Sequence, residues 1–201
     1  MRIAIPLLGL TFLGAVAVAQ TPMRDATASV SVRSLTIISN DLPEPERLQV
    51  AHTFKDCTCP LLEISSRVKV KLNDLGYAQA TAEIPHLAVL LDTPPAGPTD
   101  ISVLVTAGAK YWVEAILIKG AVAFPKEEII TQLPVSPGGL FNATAIGNGL
   151  ENIRKLYSTK SYSNFGAMPM LQFDETRHTV VLTIDIDEGQ PSGDGGHSHS
   201  T

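Results

Sequence analysis

The feature that most constrains this chain is an internal duplication. Residues 71–77 correspond to residues 155–162, and both segments end in a tyrosine. Residues 105–108 correspond in the same way to residues 186–189, at nearly the same separation along the chain. Because two independent correspondences share one period, the sequence predicts two tandem copies of one structural unit. Units of this size bury a low share of their surface, so we expect each copy to be stabilised by contact with its neighbour.

The second copy has the pattern of a strand, two helices and a β-hairpin. Residues 112–119 are rich in β-branched and large apolar residues, as a strand is. A short helix is predicted between Pro125, which suits a first helical position, and Pro134, which stops the helix. Residues 162–173 and 179–187 surround a polar turn and are predicted to pair. Between them and the short helix we predict a second helix, with Asn142 as its N-cap and one apolar face made of Ile146, Leu150, Ile153 and Tyr157.

The first copy repeats this order less clearly. Its predicted first strand is 30–38, its helices are 43–55 and 61–75, and its hairpin strands are 78–91 and 101–106. We therefore predict an α+β fold of two tandem β-α-α-β-β modules. Each module is expected to have a three-stranded mixed sheet with two helices on one face.

The expected domain boundaries follow from these elements. Module 1 is predicted to span 30–108 and module 2 to span 109–189, with a linker too short to be flexible. An N-terminal segment of residues 20–29 precedes them. The tail of residues 190–201, rich in glycine, serine and histidine, is expected to be disordered.

The first 19 residues have the pattern of a secretory signal peptide. Arg2 is followed by an almost unbroken apolar run, and Ala17-Val18-Ala19 supplies the small residues of a cleavage site. A retained membrane anchor would need about 20 apolar residues. We therefore expect signal peptide 1–19 to be removed and the rest of the chain to act outside the cytoplasm.

The charge of the chain limits its partners. The formal net charge is -5 at pH 7, from 15 Lys and Arg and 20 Asp and Glu residues. This excess of acid argues against nucleic acid and anionic lipid as the main partners, because both repel an acidic protein.

Cys57 and Cys59 are the only cysteines in the chain. In an oxidising compartment they are candidates for a disulfide, either with each other or with another chain. Two buried or partnerless structural thiols are another open interpretation, and half of a metal or redox site is a third. A disulfide across one residue would close a small ring and stabilise the fold little.

The sequence shows no catalytic pattern. An enzyme needs a convergent set of nucleophile, base or metal ligands, and no Ser/His/Asp or Cys/His set has a persuasive spacing. The acids near the end of the second copy, Asp174, Asp185, Asp187 and Glu188, are interpreted as solvated surface rather than a calcium site. We predict a non-enzymatic protein with no catalytic residue, no metal and no cofactor.

An ordered set of short segments carries a family resemblance. In the second copy these are residues 116–120 ahead of Phe124, residues 139–142, and residues 156–157 ahead of Tyr162, followed by residues 184–189. The set resembles the POTRA module of outer-membrane barrel-assembly and polypeptide-transport proteins. One departure is Ser161, where the family usually has glycine. If this position needs a positive φ, serine costs up to about 1 kcal/mol.

The resemblance implies a function and a location. It implies a periplasmic scaffold that binds other polypeptides by β-strand addition, assists outer-membrane protein assembly or transport, and works with an outer-membrane β-barrel protein. Association with the outer membrane is a further expectation. Too few residues follow Gly189 to form a barrel, so we expect the barrel to be a separate partner. The alternative is a rigid structural module of an envelope or secretion complex that binds no client peptide.

The resemblance also places the site. It implies that the first strand of each hairpin is the receptive edge, which is residues 80–90 in module 1. In module 2 the predicted peptide-binding residues are Phe165, Gly166, Ala167, Met168, Met170, Leu171 and Phe173. Phe165 with Met168 and Met170 is expected to form one adaptable apolar face. A role of these residues in the hydrophobic core is the competing interpretation.

Overall fold

The computed structural model describes residues 29–191. The predicted signal peptide, all but the last residue of the segment 20–29 and residues 192–201 of the predicted tail lie outside this range. The described chain is a mixed α+β structure with two sheets.

The first part of the chain contains a four-stranded sheet and three helices. Its elements, in chain order, are β1 (Ser29–Ile38), α1 (Glu44–His52), β2 (Cys57–Pro60), α2 (Glu63–Asp74), β3 (Thr81–Glu83), α3 (Leu87–Asp92) and β4 (Thr99–Thr106). The strand order is β2-β1-β4-β3, in which β1 and β4 are parallel and the two outer strands are antiparallel to their neighbours.

The prediction of a three-stranded sheet in module 1 is wrong because β2 adds a fourth strand. Asp56 has a φ of 56°, in the left-handed region that aspartate tolerates better than most residues. This turn sends residues 57–60 back along the start of β1, where they pair antiparallel with residues 29–32. The element is short and its pairing partner lies far away in sequence.

The predicted strand 78–91 is also wrong over most of its length. Only Thr81–Glu83 pairs with β4. Pro85 follows directly, and a proline has no backbone N–H with which to continue a ladder. His86 then takes a φ of 62° and the chain enters α3. Only the three residues of β3 form an edge strand in this range, so residues 80–90 do not form the predicted receptive edge over their length.

The second sheet follows the predicted order of elements. These are β5 (Trp112–Lys119), α4 (Lys126–Ile130), α5 (Ala143–Ser158), β6 (Gly166–Asp174) and β7 (Thr179–Asp187). The strand order is β5-β7-β6, with β5 parallel and β6 antiparallel to β7. Asn142 caps α5 as predicted, because its Oδ1 accepts a hydrogen bond from the Ala145 N–H at 2.7 Å.

The core of this part of the chain is centred on Tyr157. Its ring is fully buried, stacks on Phe165 with ring centroids 4.3 Å apart and meets the edge of Phe124 at 4.9 Å. The alternating residues of β7 complete the core under α5: Val180, Leu182, Ile184 and Ile186. The other face of the sheet carries the more exposed residues of the strands.

A junction of hydrogen bonds joins the end of α2 to the start of α5. The Asp74 carboxylate accepts from the Thr144 N–H and from the Thr144 hydroxyl, each at 2.9 Å. The Asp74 carbonyl accepts from Asn142 Nδ2 at 3.2 Å, and the Tyr111 N–H donates to the Gly76 carbonyl at 2.9 Å. A carboxylate at the first turn of a helix also interacts favourably with the helix dipole. The junction therefore ties the two parts of the chain together through α5.

Ser161 has the backbone conformation that glycine favours. Its φ is 63°, so a side chain at this position is strained. We expect Ser161→Gly to raise the free energy of unfolding by up to about 1 kcal/mol, measured by urea denaturation. Ser158→Gly, a change of the same size at the end of α5, is the control and should destabilise the protein. A Ser161→Gly variant no more stable than the parent protein would show that the strain is absent.

Candidate functional site at the free edge of the second sheet

β6 is an edge strand. It pairs with β7 along its full length of 9 residues, from Gly166 opposite Asp187 to Asp174 opposite Thr179, without a shift in register. No other strand within residues 29–191 pairs with its outer side. An edge of this kind presents unpaired backbone N–H and C=O groups to an added chain.

Pro169 shows which backbone groups point outward. It lies opposite Ile184 inside the unbroken ladder, and a proline in a regular strand must turn its nitrogen away from its partner. Backbone groups alternate in direction along an antiparallel strand. The N–H and C=O groups of Ala167, Leu171 and Phe173 therefore point to the free edge, where Pro169 contributes only its carbonyl.

An apolar groove runs between β6 and α5. Pro169 and Leu171 form one wall, and the other wall comes from α5 and the residues before it: Phe141, Ala143, Ile146, Gly147 and Leu150. The groove lies beside the free backbone groups because the side chains of Pro169 and Leu171 share the face that α5 covers. An added strand would place alternate side chains over this groove.

The methionines lie on the opposite face of the sheet. Met168 and Met170 alternate with the groove residues and are 68% and 42% exposed. Met168 lies near two carboxylates of β7, those of Asp185 and Asp187. Neither methionine lines the groove.

The prediction of one adaptable face made of Phe165, Met168 and Met170 is wrong. Phe165 precedes β6, is only 8% exposed and belongs to the core because it stacks on Tyr157. Phe173 is half-buried and meets the ring edges of Tyr111 and Phe141, at centroid distances of 5.1 and 6.3 Å. The other predicted residues, Gly166, Ala167, Met168, Met170 and Leu171, do lie in β6.

Two parts of this site were not predicted from the sequence: Pro169 and the wall formed by α5. A proline inside an otherwise regular strand is itself a signal for an edge position. Ile146 and Leu150 were recognised as one helix face, but their position against β6 depends on the packing of the helix.

The turn after β6 fixes its register. Asp174 Oδ1 accepts from the backbone N–H groups of Thr176 and Arg177, at 3.0 and 2.9 Å, and Arg177 Nε donates to Asp174 Oδ2 at 2.8 Å. The Arg177 N–H, followed by its guanidinium, holds the pKa of the Asp174 carboxyl below its ordinary value. This Asx turn starts β7 opposite the end of β6.

Glu188 locks the other end of the hairpin to the loop after β5. Its Oε1 accepts from the Val122 N–H at 2.6 Å, the Ala123 N–H at 2.8 Å and the Tyr157 hydroxyl at 2.9 Å. Burial raises the pKa of this carboxyl, but the three hydrogen bonds outweigh burial and leave the pKa below its ordinary value. Burial, followed by the hydrogen bond to Glu188, raises the pKa of the Tyr157 hydroxyl.

The first sheet has a matching lock with the roles exchanged. There Asp41, in the loop after β1, accepts from the Ala107 and Gly108 N–H groups at the end of β4, at 3.0 and 2.9 Å. The Gly108 N–H, then the Ser39 hydroxyl, lower the pKa of the Asp41 carboxyl. In both sheets one carboxylate joins the loop after the first strand to the end of the last strand.

Cys57 and Cys59 lie in β2 of the first sheet and do not line the groove. Their side chains share one face across Thr58 and the two sulfur atoms are in bonding contact, with the Cα atoms 5.8 Å apart. That separation lies in the range of ordinary disulfides. The geometry accommodates a disulfide, and its formation in the protein stays a prediction.

Within residues 29–191 no helix has the length and the apolar character needed to span a bilayer. The same residues contain no group of three or more His, Cys, Asp or Glu side chains arranged to hold a metal ion.

Comparison with known proteins identifies the class of the second part of the chain. Residues 111–189 match the POTRA family, described as a surface antigen variable number repeat. The resemblance to POTRA modules inferred from the sequence is therefore confirmed for this region.

Solved structures extend the similarity in fold across most of the chain. The crystal structure of Haemophilus influenzae BamA POTRA3-5 aligns with a TM-score of 0.60 and 15% identity, over 84% of this chain and 70% of that one. BamA from Haemophilus ducreyi lacking POTRA domains 1-3 aligns with a TM-score of 0.56 and 16% identity, over 81% of this chain. The alignment spans only 30% of the Haemophilus ducreyi chain.

Proposed function

We propose that this protein is a non-enzymatic periplasmic scaffold that binds extended polypeptide segments by adding them to the free edge of β6. The observation that carries the proposal is a regular edge strand beside an apolar groove. Main-chain hydrogen bonds to an edge give affinity for many sequences, and a neighbouring pocket selects alternate side chains.

The groove defines the kind of segment that fits. Its walls are apolar along both β6 and α5, so the side chains that an added strand turns toward α5 should be apolar. The opposite side chains would face solvent near Met168 and Met170. A strand of alternating apolar and polar residues meets both conditions.

We further propose that the protein assists the assembly or transport of outer-membrane proteins together with an outer-membrane β-barrel protein. The signal peptide pattern of residues 1–19 and the similarity in fold to BamA POTRA domains support this location and partner. The proposed organisation keeps module 1 at 30–108 and module 2 at 109–189, with a disulfide between Cys57 and Cys59.

Peptide binding can be tested by backbone amide NMR. We expect a short alternating apolar and polar peptide to shift the amide signals of residues 166–174 other than Pro169, and those of the first half of α5. Leu171→Asp should weaken binding at least about tenfold, because it puts a charge into the apolar groove. Met170→Asp is the matched control: Met170 and Leu171 are 42% and 40% exposed, but on opposite faces. It should leave binding within about twofold.

Two results would contradict this function. A spectrum that does not change at millimolar peptide would exclude strand addition. Equal losses from Leu171→Asp and Met170→Asp would show that the peptide does not use the groove. The second candidate function is a rigid structural module, which the hydrogen bonds of Asp74 to Thr144 across the junction favour. If the protein bound no peptide, this second function would be the better supported of the two.

A further inference from the structure

The free edge of β6 is interrupted at its centre. Four residues direct their backbone groups outward, and Pro169 has no N–H to offer. We infer that Pro169 is the specificity-determining residue of this edge: it divides β6 into two short pairing segments, so that the edge favours short extended segments over long continuous strands. This inference rests on the proposed function and concerns the same site.

The register supports this assignment. The pairs on either side of Pro169, Met168 with Asp185 and Met170 with Thr183, belong to the same unbroken ladder. An inward-facing proline would break that ladder, since it could not donate to β7. The missing donor is therefore lost from the free edge and from nowhere else.

A long added strand would meet this gap directly. One of its carbonyl groups would lie opposite Pro169 without a donor, and the loss would fall between the hydrogen bonds to Ala167 and Leu171. A carbonyl left unpaired on binding opposes binding. A short segment can avoid the gap by pairing with Leu171 and Phe173 alone.

The two pairing segments differ in their surroundings. In the segment that contains Leu171 and Phe173, Leu171 lines the groove with Ile146 and Leu150, and the Phe173 ring lies 6.3 Å from that of Phe141, another groove residue. The segment around Ala167 lies beside the acids Asp185 and Asp187. The preferred partner is therefore a short extended segment that pairs with residues 171–173 and places an apolar side chain over the groove.

The gap also acts against pairing of two copies of this chain. Two β6 strands that paired antiparallel about their centres would each bring a proline to the shared edge, so two central hydrogen bonds would be lost. Natural sheets protect their edges with prolines in this way. Pro169 thus keeps the edge open to clients while limiting self-association.

The test compares Pro169→Val with the parent protein in two assays. The first is NMR titration with a long alternating peptide, and the second is sedimentation velocity of the protein alone. We expect Pro169→Val to bind the peptide about fivefold more tightly, the effect of one added backbone hydrogen bond, and to self-associate. Gln172→Val is the control, because it adds the same side chain at an exposed position whose N–H already faces β7.

A second variant covers the case in which Pro169→Val does not fold. Leu171→Pro removes a second outward N–H without removing a donor to β7, and it should abolish binding of short and long peptides. Unchanged peptide affinity and an unchanged monomer in Pro169→Val, or full binding by Leu171→Pro, would overturn the inference while the proposed function stood. If the parent protein bound neither short nor long peptides, that result would instead contradict the proposed function.

Discussion

Gly120→Ala is expected to lower the free energy of unfolding by about 3 kcal/mol or more. Gly120 has a φ of 73°, and a Cβ atom placed on it would overlap the carbonyl oxygen of Ile186. The oxygen belongs to the backbone of β7, so it cannot move aside as a flexible side chain would. The variant combines left-handed strain of about 1–2 kcal/mol with a forced separation of β5 from β7.

Gly147→Ala provides the opposite expectation for the same chemical change. Gly147 lies within α5, and a Cβ atom there would have no neighbour within 4 Å. Alanine should stabilise this helix by about 0.5–1 kcal/mol. Urea denaturation of both variants measures the pair of effects. A Gly120→Ala protein within about 1 kcal/mol of the parent protein would contradict the close approach of β5 to the Ile186 carbonyl.

Glu188→Ala is expected to cost about 3 kcal/mol. The substitution leaves two backbone N–H groups, those of Val122 and Ala123, and the buried Tyr157 hydroxyl without their acceptor. Glu188→Gln keeps an acceptor oxygen and loses the charge, so it should cost about 1 kcal/mol. Glu175→Gln, in the exposed turn of the hairpin, is the neutral control.

The cost of Glu188→Gln should depend on pH. The folded pKa of the Glu188 carboxyl lies below its ordinary value, so the ionised group stabilises the fold above the unfolded pKa of about 4.3. That stabilisation is lost as the pH falls through the lower folded pKa. The difference in unfolding free energy between the parent protein and Glu188→Gln should therefore be constant near neutral pH and shrink below about pH 4. A difference that grows on acidification would contradict the hydrogen-bond lock.

The second part of the chain was largely predictable because its signals are local. Asn142 as a cap, the single apolar face of α5 and the strict alternation in β7 each depend on residues close together in sequence. The four residues of β2 carry no such signal. Their position results from the turn at Asp56 and from pairing with residues 29–32, which lie far away in the chain.

The candidate site was predictable in position and not in composition. The family resemblance implied that the first strand of the hairpin, β6, is the receptive edge, but sequence proximity wrongly included Phe165, whose environment is set by stacking on Tyr157. The groove arises only when Ile146 and Leu150 pack next to Pro169 and Leu171. That arrangement depends on the angle at which α5 crosses the sheet. The hydrophobic periodicity of the sequence identifies the buried face of α5, but it does not predict this angle.

The bond between Asp74 and Thr144 has a consequence for the stability of α5. α5 receives one of its N-terminal acceptors from the last residue of α2, in addition to the cap that Asn142 supplies. A fragment that began at residue 109 would contain the whole of β6 and α5, yet it would lack the Asp74 acceptor. We therefore expect the helix that walls the groove to be less stable at its N-terminus in such a fragment than in the full chain.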